Sequence, residues 1–192
     1  MRVQFYKPNP RVTGTACSFW TSEDGSIMSS MIKQDSWDAS KRRGSFSKNK
    51  DNPAKKVIIK LNATEAGAIV DAMESNRKWS GYHQSAKQVT KINFGPYEMK
   101  GEQVGFSYGV NKEDKEDSTN KSSFIIAFNF GEAVVLREAL IDSIKKSVEF
   151  TPQHKSQNFL NEPTPNRAND KKAEPQPVAS GGADSLDNED MW

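Results

Sequence analysis

The chain has one cysteine, Cys17, and two histidines, His83 and His154, among its 192 residues. A lone thiol cannot close an intramolecular disulfide, and this set falls short of the ligand cluster that a structural zinc requires. No metal and no cofactor is therefore expected. Apolar side chains are also scarce, at 34% of the residues with a mean hydropathy of −0.79. No run of about 18 apolar residues could cross a bilayer. The opening "MRVQFYKPNP" lacks the apolar stretch of a secretory signal. The expectation is a soluble protein of the reducing cytoplasm with no membrane partner. Neither a G-x-S-x-G turn nor a P-loop occurs, and Cys17 sits in a strand-like run with no obvious base beside it, so no enzymatic activity is expected.

The length suits one ordinary domain with an extension. Net charge is only +2, yet it is divided unevenly. Residues 151–192 carry four basic and seven acidic side chains, net −3; the preceding body carries 23 basic and 18 acidic, net +5. A basic body suits a polyanionic partner, and the acidic end suits some other task.

One phrase is written twice. "IIKLNATEAGAIVDAM" at 58–73 returns as "IIAFNFGEAVVLREAL" at 125–140, keeping its two Ile, its Asn, its Glu-Ala and its later Ala in step. In both copies a strand-like run meets an Asn with a Glu three residues on, the pattern of a capping box. The helical faces that follow are Ala66, Ile69, Val70 and Met73 in the first copy. In the second they are Val135, Leu136, Ala139, Leu140 and Ile144, in a helix expected over Ala133 to about Val148. Upstream of each copy lie three more strand-like runs: "RVQFYK", "VTGTACSFW" and "SIMSSMIK" in the first half, "KWSGYH", "KQVTKINF" and "EQVGFSYGV" in the second. In "SIMSSMIK" the alternation is broken, which predicts a bulge or cover on both faces. Separators such as "PNP" and "SEDG" supply turn chemistry, and "NKEDKEDSTNK" reads as a solvated hairpin loop. The fold class predicted is α+β: two pseudo-repeated units of about four antiparallel strands plus a helix, spanning roughly 1–76 and 77–150 of a single domain. From Thr151 the composition turns to Pro, Asn, Gln, Gly and charge, which predicts a disordered acidic tail over 151–192.

Between the third and fourth strands of the first unit runs "QDSWDASKRRGSFSKNKDNPA", too long for a plain connection. It interleaves Lys41, Arg42, Arg43, Lys48 and Lys50 with Phe46, follows Trp37 and precedes Lys56. Cation density is rewarded by counterion release from a nucleic-acid backbone, and a ring among the cations offers a base a surface to stack on. A merely solvated basic loop is the competing explanation. Strand aromatics extend the candidate site to Trp20, Trp79, Tyr82 and Tyr97, guided by Lys33, Lys91 and Lys100. Phe19 and Trp20 are adjacent in a strand, so one of them faces away from the core unless both sheet faces are covered. At the other end, Asp184, Asp187, Glu189 and Asp190 precede Met191 and Trp192, an acidic stretch with an apolar anchor suited to a partner's pocket.

Two four-strand-plus-helix units in one chain, each sheet running straight into its helix, resemble the Whirly fold; a single unit per chain resembles its relative, the transcriptional coactivator positive cofactor four. The end "ADSLDNEDMW" is similar to the acidic, apolar-ended tips of bacterial and phage single-stranded DNA-binding proteins. The resemblances imply a phage-type single-stranded DNA-binding protein in the host cytoplasm, with the tip recruiting replication and repair proteins. The expected function is sequence-tolerant binding and protection of single-stranded DNA in replication, recombination or repair. Edge strands and a small core predict a homo-oligomer, dimer or tetramer. The alternatives are an RNA-binding or transcription-regulating module, a protein-interaction adaptor, and, for the fold, an oligomeric OB-type barrel.

Overall fold

The computed structural model describes residues 2–117 and 120–161, the stretch 151–161 through its backbone alone. Alternating apolar residues build eight long strands. β1 (Arg2–Lys7), β2 (Thr15–Thr21) and β3 (Ile27–Lys33) form a meander. A short hairpin of β4 (Ser36–Asp38) and β5 (Arg43–Ser45) and a turn of 3-10 helix at Ser47–Asn49 interrupt it. β6 (Lys56–Leu61) then completes the first sheet and runs into α1 (Ala63–Glu74). The second half repeats the plan without the interruption: β7 (Trp79–Gln84), β8 (Gln88–Met99), β9 (Glu102–Asp114) and β10 (Lys121–Asn129), followed by α2 (Phe130–Asn161). The sheet orders, β1-β2-β3-β6 and β7-β8-β9-β10, match, and every pairing is antiparallel. The α+β plan of two four-strand-plus-helix units is the one expected.

The repeated phrase is the same structure in both places. Asn62 Oδ1 accepts the Glu65 N–H at 2.8 Å while Glu65 Oε2 accepts the Asn62 N–H at 2.9 Å. Asn129 and Glu132 reproduce both bonds at the same two distances. Burial follows the offset as well. Val57, Ile59, Leu61, Ala66, Ile69 and Ala72 are buried, as are Phe124, Ile126, Phe128, Ala133, Leu136 and Ala139, whereas Ile58 and Ile125 are 50% and 62% exposed. Val135, expected on the inner stripe of α2, is instead outside, because the face is centred on Leu136, Leu140 and Ser143. α1 ends at Glu74, and Asn76, two residues on with a φ of 53°, turns the chain so that the Arg77 N–H bonds the Ala72 carbonyl at 3.0 Å.

Each capping glutamate also grips the first strand of the other unit. Glu65 meets His83 Nε2 in β7 at 2.6 Å, and Glu132 receives the Lys7 ammonium of β1 at 2.5 and 2.6 Å. The two units are therefore clasped reciprocally. Their inner faces share one core, in which Phe5 meets Phe128 edge-on at 4.8 Å and Phe19 lies 5.3 Å from Tyr108. At its middle the Ser29 and Tyr108 hydroxyls, both buried, bond each other at 2.8 Å.

Three expectations are revised. The bulge is absent from β3, which pairs in unbroken register with β2 and β6, and the register shift lies in β8 at Tyr97/Glu98; cover on both faces does hold at its centre, where inward Ser29 and outward Ser30 are both buried. The long basic stretch contains regular structure. α2 starts three residues before Ala133 and its backbone stays helical past Phe150 to Asn161. Gly105 is required where β9 passes the exit of β10: at φ 152° a Cβ there would lie 1.9 Å from the Phe128 carbonyl oxygen. The described residues up to Leu160 form one compact unit. The rest of the expected tail, 162–192, and its tip residues Asp184, Asp187, Glu189, Asp190, Met191 and Trp192 lie outside the described residues.

The hydroxyl pair makes a stability prediction. Ser29→Ala alone or Tyr108→Phe alone should cost about 1–3 kcal/mol, because each strands or removes a buried partner. The double substitution should cost less than the sum of the two. Urea denaturation of the four proteins checks it, and strictly additive costs would mean that the bond contributes nothing.

Candidate nucleic-acid interface

The stretch between β3 and β6 is an insertion in the pseudo-repeat, and short polar side chains rather than a core hold it in place. Gln34, almost fully buried, is the anchor. Its Oε1 accepts the Asn9 and Gly14 N–H groups at 2.9 and 3.2 Å, and its Nε2 donates to the Asn9 and Ser36 carbonyls at 3.0 and 2.8 Å. All four valences are used, so the β1–β2 loop and the start of the β4–β5 hairpin are tied to one side chain. Asp35 accepts from Ser36 Oγ, the Lys48 N–H and Ser45 Oγ, and these bonds, Ser36 foremost, hold its carboxyl below the usual range. Asp38 closes the hairpin by accepting from Ser40 Oγ and the Ser40 and Lys41 N–H groups; its pKa is likewise lowered, chiefly by Ser40. Asn49 Nδ2 bonds the Lys33 carbonyl at 2.9 Å.

The cations are left outside this frame. Lys41, Arg42, Arg43, Lys48 and Lys50 are exposed, and with Lys55 and Lys56 they form no ion pair to another described residue. Phe46 leans on Tyr6 of β1, ring centroids 5.9 Å apart. These two rings, with Lys41, Arg42, Arg43 and Lys50, line an open cleft of about 790 Å³. Carboxylates are nearly absent: Asp38, already engaged by three donors, is the sole acid in that lining.

The cleft continues onto the outer face of the first sheet. Register places Arg2, Trp20, Met28 and Lys60 in one row across the strands, Gln4, Ser18, Ser30 and Ile58 in the next, and Tyr6, Ala16, Ile32 and Lys56 in a third. Trp20 is the outward member of the Phe19–Trp20 pair, half-buried, with the Arg2 guanidinium 5.3 Å above its ring. Cations thus border a sheet floor that carries two aromatic rings. Arg2 and Tyr6 were not among the sequence candidates; only cross-strand register puts Arg2 beside Trp20 and Tyr6 on the same face as Lys56 and Lys60.

The remaining candidates are dispersed. Trp37 is half-buried on β4. Tyr82 and Lys91 are paired neighbours on the outer face of the second sheet, Tyr97 sits at the β8 irregularity, and Lys100 is at the β8–β9 turn with φ 55°. Two residues are set against expectation. Trp79 faces inward and packs on the core, because β7 parity puts it opposite Phe94. Lys33 has its ammonium 5.1 Å over the Phe124 ring, and desolvation, with the charge of Lys55, lowers its pKa. Phe19, Phe94, Phe106 and Tyr108 are core residues, and Cys17 is sealed in with them, its thiol pKa pushed up by burial.

No protein-family model matches the sequence, and no curated protein does. Solved structures do match. WHY1 of Arabidopsis thaliana has a TM-score of 0.56 at 14% identity, covering 88% of this chain and 97% of its own. WHY3 of the same plant has 0.56 at 15%, covering 83% and 95%. The plant transcriptional regulator PBF-2 has 0.53 at 14%, covering 85% and 97%. The chain has a Whirly-like fold.

Proposed function

We propose that the protein binds single-stranded DNA with little regard to sequence, through the basic insertion and the adjoining outer face of the first sheet. The observation that carries this is the cleft in which unpaired Lys and Arg side chains surround the Tyr6–Phe46 rings. Phosphates would replace water and counterions around the cations, and unstacked bases would lie on the rings. A duplex offers neither exposed base faces nor the flexibility to follow a sheet, so an unpaired strand is the favoured ligand. The similarity to a transcriptional regulator fits a nucleic-acid partner. A role in replication, recombination or repair, self-association, and recruitment of partner proteins by the acidic tip complete the proposal.

Titrating intrinsic Trp fluorescence with single- and double-stranded DNA and matched RNA at two salt concentrations tests it; salt-independent or absent binding would overturn it. Replacing Arg42, Arg43 and Lys48 by Gln should weaken binding and reduce the slope of log affinity on log salt by about 2, at roughly 0.7 per lost contact. An unaltered slope would remove the insertion from the interface.

Trp20→Ala should cost about 1–3 kcal/mol of binding with folding retained, whereas Trp79→Ala should lower stability in urea first. The opposite assignment would put the strand on the second sheet. Deleting residues 184–192 should raise DNA affinity by relieving competition for the cations, measured at low salt. Equal affinities would leave the tip no part in binding.

A further inference from the structure

The outer face of the second sheet is built on the same grid as that of the first, with different chemistry. The repeated phrase aligns Ile58 with Ile125, and register then aligns whole rows. Gln4, Ser18, Ser30 and Ile58 correspond to Ser80, Asn93, Gly109 and Ile125. Tyr6, Ala16, Ile32 and Lys56 correspond to Tyr82, Lys91, Asn111 and Ser123. Trp20, Met28 and Lys60 correspond to Gly95, Ser107 and Ala127. The tyrosine persists. Trp20, Met28, Ile32, Lys56 and Lys60 give way to Gly95, Ser107, Asn111, Ser123 and Ala127, so most of the bulk and charge is exchanged for small or neutral polar side chains, while Ala16 gives way to Lys91.

These substitutions leave a shallow recess of about 440 Å³ on the face of the central strands. Around Gly109 stand Asn93, Asn111, Ser80, Ser107 and Ser123, and none of these side chains makes a hydrogen bond to another described residue. The lining contains no carboxylate, and its one charge is Lys78, whose stem crosses Gly95: a Cβ there would meet Lys78 Cγ at 2.9 Å. A solvated sheet face commonly carries long charged side chains; here the polar groups are short and the exposed Ile125 lies directly across from Gly109. An amide presents a donor and an acceptor side by side. That matches a ligand edge which alternates donors and acceptors in a plane, as a nucleobase does, and mismatches a phosphate, which only accepts. Lys78 and Lys91 border the recess and Tyr82 stands exposed beside it, so both backbone and rings of a strand have partners nearby.

We infer that this recess is a base-reading subsite, in which Asn93 and Asn111 hydrogen-bond the edges of unpaired nucleobases. The inference rests on the proposed binding of single strands and adds to it a base-dependent component that the cationic insertion cannot supply. Affinity then has two parts: a salt-dependent one from the first sheet and its insertion, and a salt-insensitive one from neutral contacts on the second.

The test compares the full-length protein with Asn93→Ala/Asn111→Ala, using labelled oligothymidylate, oligodeoxyadenylate and an abasic strand of equal length, by fluorescence anisotropy across a salt series. The double variant should lose affinity for the base-bearing strands by on the order of tenfold, from two neutral hydrogen bonds. It should keep its affinity for the abasic strand and its salt slope. Gly109→Ala is a second variant that the fold accommodates, since a Cβ there meets only the Phe124 carbonyl oxygen at 3.7 Å and Asn93 Cβ at 4.0 Å. It should act in the same direction by raising the floor. Variants that bind all three strands like the parent, or lose all three alike, would overturn the subsite while leaving DNA binding intact. A parent protein that binds none of the strands would overturn the proposed function itself. A changed sedimentation coefficient with unchanged DNA binding would assign the face to a second copy of the chain instead.

Discussion

Everything in this molecule depends on how a strand becomes a helix without losing backbone hydrogen bonds. At both junctions an asparagine and a glutamate satisfy each other's main chain, which frees one glutamate oxygen or lone pair for a side chain of the opposite unit. Glu65 holds His83 and Glu132 holds Lys7. One residue type thus ends a sheet, starts a helix and clasps the other half. A four-stranded sheet with one apolar face and a single helix has little core of its own. Clasped face to face, with Phe5 on Phe128 and Phe19 beside Tyr108, the two sheets make one core from two insufficient ones.

Duplication of the scaffold leaves two outer faces free to differ. Positions that point inward are constrained by packing in both units, and they stay apolar: Val57 with Phe124, Ile69 with Leu136. Positions that point outward carry no such constraint. The first sheet has Trp20, Ile32, Lys56 and Lys60, and an insertion that adds six further exposed cations. The second has Gly95, Asn111, Ser123 and Ala127 in the same places. The insertion itself is held by Gln34, Asp35, Asp38 and Asn49, polar side chains whose bonding capacity is consumed locally. Its Lys and Arg side chains are consequently left to solvent or to a ligand.

Much of this was legible beforehand for definite reasons. Strand alternation and the capping signature are local, so the eight long strands, both helix caps and the duplicated plan could be read from spacing alone. The density of cations at 41–50 is likewise a property of the chain. The β4–β5 hairpin escaped notice because three-residue strands carry too little period to detect, and its order comes from Gln34, a residue that looks unremarkable in sequence. Trp79 and Trp20 look alike as strand tryptophans. They differ because parity in one strand is set by its neighbour, which puts Trp79 opposite Phe94 and Trp20 beside Met28.

The amino-acid sequence by itself determined which segments form the eight long strands and the two helices, where the helix caps lie, that the plan occurs twice, and where positive charge accumulates, because each follows from interactions spanning a few residues. Tertiary structure alone decided which rings face the core, that Tyr6 and Phe46 meet over the basic cleft, that Lys33 is drawn over Phe124, and that five short polar side chains from four strands surround Gly109. Those are matters of register between segments far apart in the chain, and register is settled by the shared core rather than by any local pattern.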